Sequence, residues 1–311
     1  GAMALVGGAA TARLVAPGHV AARGARLVRV GLVAGAALLM GAALLEGAVT
    51  LKAVLGRLEP ELYRRYLGAT RHGEMARLRL AVAPAAAAVG VLLTLPRARL
   101  WPRAARGVGD ALLAALCLAL LYTFGLLSHA AAMGGAAPLW ADLVHLVAAA
   151  AWAGPVVYLA LLGLGPRAAP ASGGAPARAA TAAQRAVARV SRIGTVAVAV
   201  LLLTGAFNAL THASEPAVFA TSAYGRSLWL KLALFALVLV VAAGNAFAWL
   251  PRFLRTHDPR PLLRSMRLEA ALLVALFVVT GFLTTAALPH GADASTDALE
   301  NLRRSLAALG F

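Results

Sequence analysis

Residues 226–250 read RSLWLKLALFALVLVVAAGNAFAWL, a run in which Arg226 and Lys231 are the only charges. Coiled as a helix at 1.5 Å per residue, it extends about 37 Å, enough to cross the hydrocarbon core of a bilayer. Runs of the same kind lie at roughly 27–51, 78–96, 109–129, 138–164, 193–213 and 268–289. Lipid offers backbone groups no hydrogen-bond partners, so each run must be helical. The expected fold is an all-α polytopic transmembrane helix bundle of about seven spans, with room for an eighth.

Composition outside that run agrees. The 311-residue chain is 61% hydrophobic and 13% charged, where a soluble domain carries roughly 25% charged residues. Mean hydropathy is +0.80. The net charge of +17 comes almost wholly from arginine, since Lys52 and Lys231 are the only lysines. These arginines cluster between apolar runs and form no basic face interleaved with aromatics, so no nucleic acid partner is expected. The partner of the surface is the lipid bilayer. Cys117 is the single cysteine, which excludes an internal disulfide and a CxxC metal site.

The arginines also orient the spans. Arg13, Arg23, Arg26 and Arg29 precede the first, and Arg97, Arg99, Arg103 and Arg106 follow the second. Arg167, Arg178, Arg185, Arg189 and Arg192 follow the fourth, and Arg252, Arg255, Arg260, Arg264 and Arg267 surround the turn into the seventh. By the positive-inside rule these four sets are cytoplasmic. The alternate loops are poor in charge: 130–137 has none and 214–225 has only Glu215. The 52–77 stretch runs against the pattern, holding five arginines against Glu59, Glu61 and Glu74 on the opposite side.

Gly1-Ala2-Met3 (1–3) resembles a tag remnant. Residues 4–25 contain Arg13, Pro17 and Arg23 and no long apolar core, so no signal peptide is expected. Residues 4–108 form an N-terminal membrane part with two spans, 109–290 a second membrane domain, and 291–311 a polar C-terminal tail. The Pro- and Gly-rich segment 166–182 is expected to be a flexible linker. No internal repeat supports an inverted-repeat transporter.

This threading sorts the histidines. His129 ends the third span, His145 lies about two turns into the fourth, His212 ends the fifth and His290 ends the seventh, all toward the outer face. Asp142 and His145 are three apart and share a helix face. His129 and His145 flank a tight turn that contains Met133, Gly134, Gly135 and Pro138. Imidazole suits copper, zinc or iron, and a thioether favours Cu(I), so His129, His145, Asp142, His212, His290 and Met133 are candidate metal ligands. The plainer reading makes His212 and His290 interfacial residues and Asp142 a hydrogen-bonded carboxylate. Ionisable groups inside a span are costly and usually functional, which favours the Asp142 and His145 pair.

Further polar residues punctuate the spans. Asn208, Lys231 and Asn245 are read as lining a path, with Lys231 either paired to Asp142 or snorkelling outward. Glu46 stands alone among apolar neighbours and is expected to face a cavity or proton path. Glu269 and Arg267 are expected to form a structural ion pair. Trp152, seven residues after His145, either roofs the site or packs. Gly163, Gly205 and Gly244 are expected to mark helix contacts. There is no GxxxxGKS motif, so any movement is passive or ion-coupled. No catalytic residue and no enzymatic activity are expected.

A succession of short motifs then resembles one family. These are Ser128-His129-Ala130-Ala131-Ala132, Asp142-Leu143-Val144-His145 with Trp152 and Gly154, Arg189-Val190-Ser191-Arg192, and Thr204-Gly205-Ala206-Phe207-Asn208. They continue with Tyr224-Gly225-Arg226 and Lys231, Gly244-Asn245, and Arg267-Leu268-Glu269. Their order and spacing over roughly 109–290 resemble the copper resistance protein D (CopD-like) family of bacterial inner-membrane proteins. The resemblance implies copper, as Cu(I) or Cu(II), taken from the periplasm toward the cytoplasm, often beside a periplasmic copper-binding protein. It places copper at His129, Asp142 and His145, and Tyr224 beside the path; His212 and His290 lie outside its pattern. Ala153-Gly154-Pro155 replaces the family's Gly-Gly, and the family is usually drawn with eight spans. Two other readings remain open. One is a b-type haem or quinone oxidoreductase, with His145 and His212 or His129 as axial ligands. The other is a membrane copper chaperone or docking partner without transport.

Overall fold

The structure is a computed structural model that describes residues 1–11, 22–127, 136–163, 175–212 and 223–285. Its helices are α1 (Ala2–Ala10), α2 (Ala22–Leu55), α3 (Pro60–Ala69), α4 (Arg71–Thr94), α5 (Arg103–Gly125), α6 (Ala136–Leu162) and α7 (Ala175–His212). They continue as α8 (Ala223–Gly244), a π-helical turn at Asn245–Trp249, α9 (Leu250–Thr256) and α10 (Arg260–Thr285). No strand occurs among the described residues. Among the described residues six segments are long and apolar enough to cross a membrane: α2, α4, α5, α6, α7, and α8 running on into α9. α10 carries the expected run at 268–289 as far as Thr285. The chain is an all-α polytopic bundle.

Two apolar cores lie on either side of α6. One gathers Leu5 of α1, Leu32 of α2, Ala86 of α4 and Leu120 of α5 with Leu143, Ala150 and Tyr158 of α6. The other gathers Ala148, Trp152, Val156 and Leu159 of α6 with Val190, Val238, Phe253 and Leu273 from α7 to α10. α6 is therefore apolar on both faces, as a helix buried on both sides must be.

The expected close packing of small residues is seen where α1 crosses α6. A Cβ on Gly7 would meet the Gly154 Cα at 2.6 Å, so only two glycines permit this backbone approach. The Tyr158 hydroxyl donates to the Ala4 carbonyl at 3.3 Å, and its ring occupies the space that Gly8 and Gly31 leave open.

Three expectations are corrected. The linker expected at 166–182 is helical from Ala175 on, and its first part lies outside the described residues. Pro176 stands in the first turn, where its missing N–H has no cost, and alanines propagate the helix. Gly163 ends α6 with φ +78, a left-handed turn and not a helix contact. At Gly244 an added Cβ would meet nothing within 4 Å, so it marks no contact either. The 52–77 stretch contains α3 and the first turns of α4, with Arg57 3.3 Å from Glu59 and Arg64 paired to Glu61.

Candidate metal centre

His145 lies nine residues past the start of α6, Thr204 eight before the end of α7, and Lys231 eight past the start of α8. At 1.5 Å per residue all three sit about 12–14 Å from the bundle end where the arginine-poor loops lie. Antiparallel threading of three helices thus brings residues 86 positions apart in sequence to one depth.

The hydrogen bonds there have a definite polarity. The Asn208 side-chain amide donates to Asp142 Oδ1 at 3.1 Å, which orients the carboxylate. His145 Nδ1 lies 2.8 Å from Thr204 Oγ1. That hydroxyl donates its single proton to the Val200 carbonyl at 2.7 Å, so it can only accept from the ring. The hydrogen-bond network thus assigns the His145 proton to Nδ1 and leaves a lone pair on Nε2, a form in which imidazole binds a metal. Gly205 borders the ring: a Cβ there would lie 3.8 Å from His145 Cε1. Its small size keeps that side of the imidazole open. Lys231 makes no direct ion pair with Asp142 among the described residues.

Of the other candidate ligands, His129, Met133 and His290 lie outside the described residues. His212 is the last residue of α7 and Tyr224 lies in the first turn of α8; their side chains are also outside that description. Among the described residues no three His, Cys, Asp or Glu side chains gather to hold a metal ion.

Deeper in the same bundle a second polar group is buried. Trp152 of α6 packs edge-on against Phe235 of α8, with ring centroids 6.4 Å apart, and against Gly194 of α7. Its packing role is seen directly, and its indole lies beside the carboxyl of Glu269 on α10. The Asn245 amide, in the π-helical turn, donates to the same carboxyl at 2.7 Å. The ion pair expected between Glu269 and Arg267 does not form. Residues two apart on a helix project to opposite sides. Arg267 instead donates to the Ala160 carbonyl at 3.4 Å and lines, with Val157, Ala160, Ala270, Ala271 and Val274, an open apolar groove.

Glu46 is likewise not alone. It accepts from Arg79 Nη1 at 3.4 Å, although its own side chain is 47% exposed. Arg79 is only 4% exposed, and its remaining nitrogens donate to Thr123 Oγ1 at 3.0 Å and to the Thr123 carbonyl at 3.2 Å. Its guanidinium also lies 4.1 Å from the centre of the Phe124 ring. Tyr66 of α3 closes the cluster; burial, followed by the nearby Glu46 charge, pushes its phenol up to about 12. Arg79 and Thr204 were not singled out from the sequence. A lone arginine inside an apolar run was the available signal for the first. For the second it was a hydroxyl one helical turn before Asn208 on the same face.

Residues 184–283 match the family model of copper resistance protein D. No curated protein and no solved structure matches the chain. The match spans about a third of the sequence and runs from α7 into α10, so Thr204, Asn208, Lys231, Asn245 and Glu269 fall within it. Asp142, His145 and Trp152 stand before it on α6. The chain is a multi-pass membrane protein whose segment 184–283 is similar to copper resistance protein D.

Proposed function

We propose that this chain, through its segment similar to copper resistance protein D and the preceding α6, carries copper across a bacterial inner membrane from the arginine-poor side toward the arginine-rich side. The copper ion is cargo, and it is captured by His145 Nε2 and the Asp142 carboxylate. One observation carries the reading: His145 Nδ1 lies 2.8 Å from the Thr204 hydroxyl, a contact that assigns the ring the tautomer with Nε2 unprotonated, one helical turn from a carboxylate that Asn208 orients. His129, Met133, His212 and His290 are the candidates for the remaining ligands on sequence grounds. The positive-inside rule supports a capture site that faces the periplasm, where a periplasmic copper-binding protein can deliver to it, and the inward direction is the one the family resemblance implies.

Capture in a low-dielectric site has a charge requirement. Asp142 offsets a bound cation, and Lys231 nearby offsets Asp142 when no cation is present. Arrival of copper would therefore displace the lysine's charge from the carboxylate, and its departure would restore it.

The test is copper titration of the reconstituted full chain beside His145→Ala and Asp142→Asn, with copper accumulation in the same vesicles. Loss of a metal ligand is expected to weaken binding about a hundredfold, on the order of 2.7 kcal/mol. Unchanged affinity in both variants would remove the site. Binding without accumulation would favour the docking reading, and a haem absorption band in the purified protein would favour the redox one.

A further inference from the structure

Glu269 is 4% exposed and Asn245 8% exposed, both within the C-terminal bundle. Among the described residues the groups that meet the Glu269 carboxyl are neutral: the Asn245 amide from the π-helical turn and the Trp152 indole from α6. Among the described residues it makes no ion pair, and Arg267 of its own helix turns to the Ala160 carbonyl on the other side. An ionised carboxylate so enclosed lacks a counter-ion, and an isolated buried charge is among the costliest features a fold can hold.

Asn245 supplies the second observation. Its Oδ1 is buried and has no hydrogen-bond partner among the described residues, while its Nδ2 sits 2.7 Å from Glu269 Oε2. An orphaned buried acceptor beside a buried carboxyl lacks one thing, a hydrogen. If the carboxyl is protonated, its O–H is that donor, and an acid and a primary amide each give and accept one bond. Turning the amide by 180° changes which oxygen is served and not the need for the proton. The π-helical turn that presents Asn245 is a local departure from the α-helical ladder, a feature that is frequent at functional sites.

We infer that Glu269 is a proton-binding site within the membrane, neutral while the His145 site above it is empty and holding its proton less tightly when copper occupies that site. The proposal rests on the copper reading for its coupling but not for the proton itself. Trp152 stands between the two levels: it lies two helical turns below His145, about 10 Å along α6, with its indole beside Glu269. A unit positive charge about 10 Å from a carboxyl would lower its proton affinity about tenfold at an effective dielectric of 20. A carboxyl that loses its proton releases it to solvent, so for Cu(I) the exchange of one cation for one proton conserves charge. By reciprocity the proton weakens copper binding by the same factor, which is the requirement for exchange of the two ions.

Infrared spectroscopy of the reconstituted full chain tests this without relying on activity. Copper-free wild type should show the carbonyl stretch of a protonated carboxylic acid at neutral pH, and Glu269→Gln should lack it. Glutamine preserves the contacts to Asn245 and Trp152, so that variant is expected to fold. Should it not, Asn245→Leu is expected to shift the frequency of the band by removing its acceptor. Copper addition should diminish the band in wild type. Spectra identical in wild type and both variants would overturn the inference, and so would a band unaffected by bound copper. Failure of wild type to bind copper at all would overturn the transport reading alone, with the protonated band still present.

Discussion

The bundle buries polar groups on both sides of α6, and it treats them differently. In the N-terminal core every nitrogen of Arg79 has a partner: Glu46, the Thr123 hydroxyl and the Thr123 carbonyl each take one bond, and the Phe124 ring takes its face. In the C-terminal core His145 keeps Nε2 bare, and Asn245 Oδ1 is left without a donor among the described residues. Removing polar atoms from water costs about the same on either side. A saturated cluster only holds helices together, whereas a cluster with an open lone pair has capacity for a cation or a proton. The difference separates a clamp from a site.

The strongest way to break that contrast is Arg79→Met. Removing the buried partner of Thr123 and Glu46 is expected to cost about 3 kcal/mol, at the lower end for buried pairs because Glu46 is half exposed. Unfolding of the solubilised protein measures it, and copper affinity should not change. A parallel fall in copper affinity would show that the two clusters act as one.

Next in size is Gly154→Ala. The new methyl would press on the Gly7 backbone, which has no side chain to move, and overpacking of this kind costs about 2 kcal/mol. Its effect should fall on the seam between α1 and α6 and appear as a lowered Tm. Thr204→Val sharpens the comparison from the other side. It leaves His145 in place but deletes the oxygen that orders its tautomer, so copper binding should weaken about tenfold with stability nearly unchanged. Thr204→Ser, which keeps that oxygen, should restore it.

The smallest effect is expected at Tyr66. Burial and the Glu46 charge hold its phenol near 12 against an ordinary 10.0. The raised value favours the protonated form in the folded state. Its contribution to stability is therefore complete below pH 10 and is lost as pH rises from there toward 12. Ultraviolet titration should show one tyrosine ionising late, and Glu46→Gln should bring it earlier.

Much of this was legible in the chain itself. Seven apolar runs announced the helices, and the three-residue spacing of Asp142 and His145 put both on one face of α6 whatever surrounds it. Asn208, Lys231 and Asn245 stood out as polar residues inside such runs. Partners were the illegible part: Glu46 and Glu269 read as an isolated acid and half of an ion pair, and each bonds a residue from another helix. α1 was illegible for a related reason, because nine residues are too few to announce a span and only its fit against Gly154 explains its burial.

Sequence alone determined that the chain lives in lipid as helices, because hydrophobic length and backbone hydrogen bonding are properties of each segment by itself. Tertiary structure alone decided which buried polar atoms are satisfied and which are left open. That distinction depends on distances of about 3 Å between helices, and no one-dimensional spacing encodes them.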